Sequence, residues 1–303
     1  MAYNCVVLIK QVPDTARITG QAMNPDGTVN RSALPAIFNP EDLNALELAL
    51  TIKDQHGGTV TVVTMGLPAA AQILREALYR GADDAILLTD RRCAASDTLA
   101  TSYILSCAVR KLPYDLVLCG RQAIDGDTAQ VGPQLAEKLN LPQITYVEHL
   151  ADLHDDTITA RRNIGNGWQL VRCRLPVLLT VTADANEPRF PAARKMMKYK
   201  NALAPAEVEQ QIKQLNPDAD DETITDLVRR RCRQLQEKGL LIKQWNLDDV
   251  GADLNWCGRT GSPTKVHRIQ SVVLAAKETK HVQPTDQGLA DMIHELIENR
   301  IIA

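Results

Sequence analysis

Short runs of consecutive aliphatic residues alternate with amphipathic stretches over the first two-thirds of the chain. Residues 5–9, 60–65, 85–88 and 116–119 are continuous and apolar, as strands buried on both faces must be. Between them lie helical patterns. Asn39 stands at an N-cap position, with Pro40 at the first helical residue, Glu41 in the first turn, and Leu43, Leu46, Leu48 and Leu50 following. Residues 68–80 form a second helical stretch, stopped by Gly81 in the role of the residue just past a helix end. Residues 97–111 form a third, ending before Pro113. This rhythm predicts an α/β fold: a doubly wound, mostly parallel sheet with right-handed crossovers.

From Ile144 the pattern changes. Residues 157–164, 168–173 and 177–181 read as strands, the first two joined through Gly165, Asn166 and Gly167, a hairpin signal. They are expected to extend the sheet with antiparallel members. Beyond Asp184 the chain is irregular and basic to about residue 201. A highly charged helical segment over roughly 204–239 follows, interrupted at Asn216 and Pro217. A loop (251–263), a short strand (271–275) and an amphipathic helix (287–301) complete the pattern. Two parts are expected: an α/β domain over residues 1–183 and a C-terminal part over 184–303.

Composition narrows the function more than the fold. A formal net charge of −3 over 303 residues offers no electrostatic reason for nucleic-acid or membrane binding. No run of about 18 apolar residues is present. The N-terminus reads as a first strand, without the basic and small-residue marks of a signal peptide. Seven cysteines are scattered without a Cys-x-x-Cys spacing, which predicts neither disulfides nor a zinc site and points to a reducing cytoplasm. The six histidines show no metal spacing, and no nucleophile elbow, HExxH, Walker A or GxGxxG motif occurs.

One segment carries candidate chemistry. Residues 119–133, Cys-Gly-Arg-Gln-Ala-Ile-Asp-Gly-Asp-Thr-Ala-Gln-Val-Gly-Pro, leave a buried parallel strand and enter a helix, which is where open α/β sheets bind ligands. Gly120 and Gly126 permit close backbone approach. Asp127 with Gln130 fits a capping box for a helix beginning at Thr128. The amides of Thr128, Ala129, Gln130 and Val131 would then form a phosphate site, with Arg121 as counter-charge. A glycine-rich capping loop without a ligand fits the spacing equally well. Asp125 and Asp127 suit capping and ribose contact better than acid–base work. Leu8, Met65 and Asn39 should converge on the same sheet edge, although each is also an ordinary core or capping residue.

Several motifs in order resemble the beta subunit of electron-transfer flavoproteins. They are Lys-Gln-Val-Pro-Asp-Thr at 10–15, Asn39-Pro40 ahead of a helix, Val-Val-Thr-Met-Gly at 62–66 and Arg-Gly-Ala-Asp at 80–83. The whole 119–133 segment and Ala-Asp-Ala-Asn-Glu-Pro-Arg-Phe at 183–190 complete the set. The similarity is unbroken over about the first 200 residues and resumes near residues 261–266. It implies an adenine-nucleotide site made of Leu8, Asn39, Pro40, Glu41, Asp42, Met65, Gly120, Arg121, Gln122, Ala123, Ile124, Asp125, Gly126, Asp127, Thr128, Ala129, Gln130 and Val131. The chemistry would be carried by the cofactor, with no catalytic side chain and no metal.

Within that family the site holds either AMP, in simple carriers, or FAD that takes hydride from NADH and splits the electron pair. The small residues Gly126, Ala129 and Val131 are similar to the FAD-containing, bifurcating members of anaerobic metabolism. The resemblance further implies an alpha-subunit partner, a dedicated FAD-dependent dehydrogenase acting on acyl-CoA or hydroxy acids, and ferredoxin as low-potential acceptor. Residues 195–200 would belong to a docking loop for the dehydrogenase, and the final helix, with Leu289, Met292, Ile293, Leu296 and Ile297 on one stripe, to an arm on the alpha subunit. Residues 204–243 resemble an insertion relative to shorter relatives. Its mixed charges suit a solvated helical pair.

Overall fold

A computed structural model gives the structure of the protein over residues 1–14, 34–265 and 281–298; the strand expected at 271–275 lies outside the described residues. Strand β1 (Tyr3–Leu8) and a small antiparallel ribbon, β2 (Gln11–Pro13) with β3 (Ala36–Phe38), lead into α1 (Pro40–His56). Then come β4 (Gly58–Met65), α2 (Ala71–Arg80), β5 (Asp84–Leu88), α3 (Thr98–Val109), β6 (Leu116–Gly120) and α4 (Val131–Leu139). The aliphatic runs are strands and the amphipathic stretches helices, as the pattern predicts.

Next, β7 (Gln143–His154), β8 (Thr157–Asn163) and β9 (Trp168–Arg174) form an antiparallel meander, and β10 (Val177–Val181) returns to the centre of the sheet. The full order is β11-β5-β4-β1-β6-β10-β7-β8-β9, where β11 (Lys243–Trp245) is an edge strand. The strands from β11 to β7 pair in parallel, while β8 is antiparallel to β7 and β9 antiparallel to β8. This corrects one expectation. Residues 177–181 are not an antiparallel addition, because β10 pairs in parallel with both β6 and β7. All five of its residues are buried, as a Val-Leu-Leu-Thr-Val run between two neighbours requires.

Both faces of the sheet are covered. Leu116 and Leu118 of β6 pack with Leu46, Leu50, Ile73 and Leu74 of α1 and α2. Val117 and Cys119, pointing the other way, pack with Leu105 and Val109 of α3 and Leu135 of α4. Helix α1 is buried on more than its leucine face, because Glu41, Asp42, Asn44 and Glu47 are also buried.

Beyond residue 184 the chain stays attached to this body. The stretch expected to be irregular contains α5 (Ala193–Tyr199), joined to α2 by the Ala192 amide donating to the Tyr79 carbonyl at 3.0 Å. Helices α6 (Pro205–Leu215) and α7 (Asp221–Glu237) form the expected charged pair, broken at Asn216 and Pro217. β11 then extends the sheet beside β5. A one-turn helix, α8 (Gly258–Gly261), lies within the expected loop, and α9 (Asp286–Glu298) ends the described chain. No described helix is long and apolar enough to cross a membrane.

The sheet fixes the later chemistry through one close approach. A Cβ on Gly120 would lie 2.5 Å from Asp42 Oδ1 and 2.8 Å from the Asp42 amide. The end of β6 therefore touches the first turn of α1 as only glycine permits. Gly120→Ala is expected to destabilise the fold by ~1–3 kcal/mol, the range for overpacking a fixed site. Thermal melts of the purified protein check this; an unchanged midpoint contradicts the contact.

Candidate functional site

The C-terminal ends of β1, β4 and β6 bring Leu8, Met65 and Gly120 to one edge, with Asn39, Pro40, Glu41 and Asp42 beside them at the start of α1. Met65, half-buried, packs against the cluster that contains Leu8. The polar side chains of α1 meet the protein itself. Asp42 accepts the Gly120 amide at 2.9 Å and the Lys10 amide at 2.8 Å, bridging the ends of β6 and β1. Glu41 accepts the Gln122 amide at 3.0 Å and pairs with Arg121 at 2.8 Å.

Asn39 occupies the N-cap position but makes no capping bond. Its amide donates to the Gln122 carbonyl at 2.9 Å and accepts the Ile124 amide at 3.2 Å. These three side chains thus hold the backbone of 120–124. Pro40 supplies the fixed φ that starts the helix.

The loop beyond differs from the capping-box expectation. Helix α4 starts at Val131, not Thr128, and has no side-chain cap. Pro133 is the reason. In a helix begun at Thr128 it would fall at an interior position, where its missing N–H leaves the Ala129 carbonyl without a donor and its ring crowds the preceding turn, whereas as third residue from Val131 it lacks an amide that would be unpaired anyway. Asp127 and Ala129 instead adopt left-handed φ values of 49° and 52°. Asp127 accepts from the Gln122 side chain at 3.0 Å, and Asp125 pairs with Lys10 at 2.7 Å.

This geometry leaves a row of donors. Among the described residues, the amides of Thr128, Ala129, Gln130 and Val131 donate to no protein acceptor. Ala129 is left-handed and Gln130 right-handed, with φ −97°, and successive amides alternating in this way form an anion-binding nest. The row of unpaired amides therefore does not depend on the predicted helix start. Its positive character comes from backbone, because the Arg121 guanidinium is neutralised by Glu41 and lies 5.6 Å from the Tyr146 ring centroid.

The fit to an adenine nucleotide is good on the chain's own terms. Unused amides suit a phosphate, half-buried Met65 offers apolar surface beside buried Leu8, and nothing lies within 4 Å of the position a Gly126 Cβ would take. Sequence reasoning missed three supports. Thr98, at the start of α3, donates to the Gln130 side chain at 2.9 Å. Tyr146 lies beside Arg121 in a left-handed conformation. Lys10 anchors Asp125. Lys10 stands in the 10–15 motif and Thr98 follows Asp97, whose side chain caps α3, whereas Tyr146 carried no local signal.

Burial pushes the Asp42 carboxyl up to about 7, against the pull of its hydrogen bonds from Gly120, Asn39 and Lys10. A group raised in the folded state lends stability below its unfolded value near 3.8 and loses it as pH rises through about 7. Asp42→Asn sets an amide NH2 against a backbone N–H, so it should cost ~1–3 kcal/mol. The advantage of Asp42 over this variant should shrink from about pH 5 to pH 8. Melting curves of both proteins across that range measure it; a gap that widens contradicts the sign.

Comparison with known proteins places the chain in a family. The electron transfer flavoprotein domain matches residues 26–212. The chain is similar to the electron transfer flavoprotein subunit beta of Clostridium acetobutylicum, 38% identical over 299 residues, 99% of this chain and 100% of that one. It is also similar to the caffeyl-CoA reductase-Etf complex subunit CarD of Acetobacterium woodii, 40% identical over 266 residues, 87% of this chain and 86% of that one. The acryloyl-CoA reductase electron transfer subunit gamma of Anaerotignum propionicum is 47% identical over 188 residues, 61% and 69% of the two chains. With near full-length similarity added to a parallel sheet whose edge presents an anion nest, the chain belongs to the electron transfer flavoprotein family, among its beta subunits.

Proposed function

We propose that the 120–131 loop holds the diphosphate of an FAD that takes hydride from NADH. Its electrons pass to a low-potential acceptor of the ferredoxin class and, through the FAD of an alpha subunit, to a partner dehydrogenase. The observation that carries the reading is the row of four unused amides from Thr128 to Val131, with open space at Gly126. Bound there, FAD supplies two-electron chemistry towards NADH and one-electron chemistry towards acceptors. The chain's residues bind and orient: the nest takes the phosphates, Asn39, Glu41 and Asp42 fix the loop, and Leu8 and Met65 face the base. AMP in the same nest, without a redox role, is the second reading, since a single phosphate also satisfies these amides.

In this reading residues 1–183 are the nucleotide part and residues 184–303 the partner-facing part, with 204–243 as an added helical pair. The relatives named for caffeyl-CoA and acryloyl-CoA reductase complexes favour a dehydrogenase of CoA thioesters, working in the cytoplasm. Its docking surface is the segment around Phe190, Met196 and Met197, all exposed and set among Arg194, Lys198 and Lys200. Two surfaces suit the alpha subunit. Free edge strand β9 exposes Trp168 and Leu170, an edge that proteins ordinarily cover. Helix α9 buries none of its residues within this chain and exposes Leu289, Ile293 and Ile297.

Two measurements test the cofactor. The complex with its alpha subunit should release two FAD per heterodimer and little AMP, and NADH should reduce it; one equivalent of AMP selects the second reading. Gly126→Val and Thr128→Glu should empty this site and abolish NADH reduction while the alpha-subunit flavin remains, and unchanged flavin content refutes the placement. For the partner, Met292→Asp with Leu296→Asp should weaken the heterodimer in gel filtration and leave the α/β part folded. A well-behaved monomer binding FAD alone would contradict the assignment of α9.

A further inference from the structure

Helix α1 serves the nucleotide loop with its first turn only. Its next turns hold a different segment. Asn44, buried, donates to the Asn186 carbonyl at 2.7 Å and to the Ala183 carbonyl at 3.3 Å, and Asn186 returns a bond to the Asn44 carbonyl at 3.0 Å. Glu47, also buried, accepts the Arg189 amide at 2.9 Å and the Arg189 guanidinium at 2.8 and 2.9 Å. Asp54 adds a second carboxylate to Arg189 at 2.9 Å. Past Arg189 the chain presents Phe190, 89% exposed, and is then caught by α2 through Ala192 and Tyr79.

Buried Asn and Glu on a helix that packs against a hydrophobic sheet are expensive unless bonded. Here, apart from one bond that Glu47 accepts from Thr51 on the same helix at 3.3 Å, the bonds go to a strap, residues 183–190, that leads to the exposed aromatic. The strap has no regular structure beyond one turn of 3-10 helix at Ala183–Ala185. Its shape therefore depends on what it is tied to.

We infer that Asn44 and Glu47 are positioning residues for partner recognition: through Asn186 and Arg189 they hold the 183–190 strap, so that Phe190 is presented in one conformation at a fixed place relative to the nucleotide loop on the same helix. The inference rests on the proposed docking surface. A loop held in its bound shape loses less entropy on association, so these residues act on the affinity for the dehydrogenase and not on the chemistry of the nucleotide site.

The test uses the complete heterodimer and a purified CoA-thioester dehydrogenase of the proposed class added in increasing concentration, with NADH-driven reduction of a soluble dye as control. Glu47→Gln and Asn44→Ala should each raise the KM for the dehydrogenase roughly tenfold, the consequence of ~1.4 kcal/mol less binding energy. The limiting rate and the dye rate should stay unchanged. Glu47→Asp, which keeps the charge, should restore part of the loss. Hydrogen exchange should quicken over 183–190 and not over 120–131. Should either variant fail to fold, Arg189→Lys probes the same contact from the exposed side. Phe190→Asp separates the two layers of the argument. If it raises KM while the α1 variants do not, the positioning role is refuted and the docking surface stands. If Phe190→Asp has no effect, the docking surface fails and the positioning role with it.

Discussion

The hydrogen bonds from Asp42 to the amides of Lys10 and Gly120 are the constraint on which the site depends. The last amides of a parallel strand lie beyond the ladder, and when buried they need an acceptor. A carboxylate in the first turn of α1 supplies one to two strands at once, and the helix N-terminus partly offsets its charge. The ends of β1 and β6 are thereby fixed to each other and to α1. Gly120 lets the contact close, since any Cβ there would collide with Asp42. Glu41 and Asn39 then continue the same grip along residues 122–124. The loop starts from a place it cannot leave.

From that anchor the helix works along its length. Its leucines fill the core against β6, while its polar residues are used in sequence: Asn39, Glu41 and Asp42 for the loop after β6, Asn44 and Glu47 for the strap. A long rigid rod with two clients sets their separation. In an electron carrier, where transfer depends on distance between a cofactor and its partner, such a shared support is economical. It also explains why α1 buries four polar side chains on a helix the sequence presents as simply amphipathic.

The sheet was legible because buried parallel strands leave continuous aliphatic runs, and residues 5–9, 60–65, 85–88 and 116–119 all do. Strand β10 carried the same signature, and only its position after a hairpin suggested the antiparallel direction. Strand β7 was hidden by its half-exposed pattern and its two register shifts, and β11 by its three-residue length. At the site, the loop's place at the end of β6 followed from topology. The start of α4 did not, because a capping-box pattern and Pro133 made opposite demands and the proline decided. The work of Asn39, Glu41 and Asp42 was out of reach for local reasoning: their partners are about eighty residues away, or at Lys10, and a helix-start pattern accounts for all three without them.

The loop's conformation carries the last step of the argument. A non-glycine residue at positive φ costs of order 1 kcal/mol, and this loop holds two, Asp127 and Ala129. They gain no hydrogen bond within the loop for their four following amides. Around them Gly126, Asp127, Thr128 and Gln130 are exposed, so water satisfies those amides when no ligand does. The strain is therefore bearable only because the clamp beneath the loop supplies the compensation. What the arrangement secures is a fixed row of unpaired donors, which an anion can meet without reorganising the backbone. Arginine side chains would do the same with more charge and less precision, and here the nearest one is already spent on Glu41. A site built from amides selects an anion by the geometry of its donors more than by net charge.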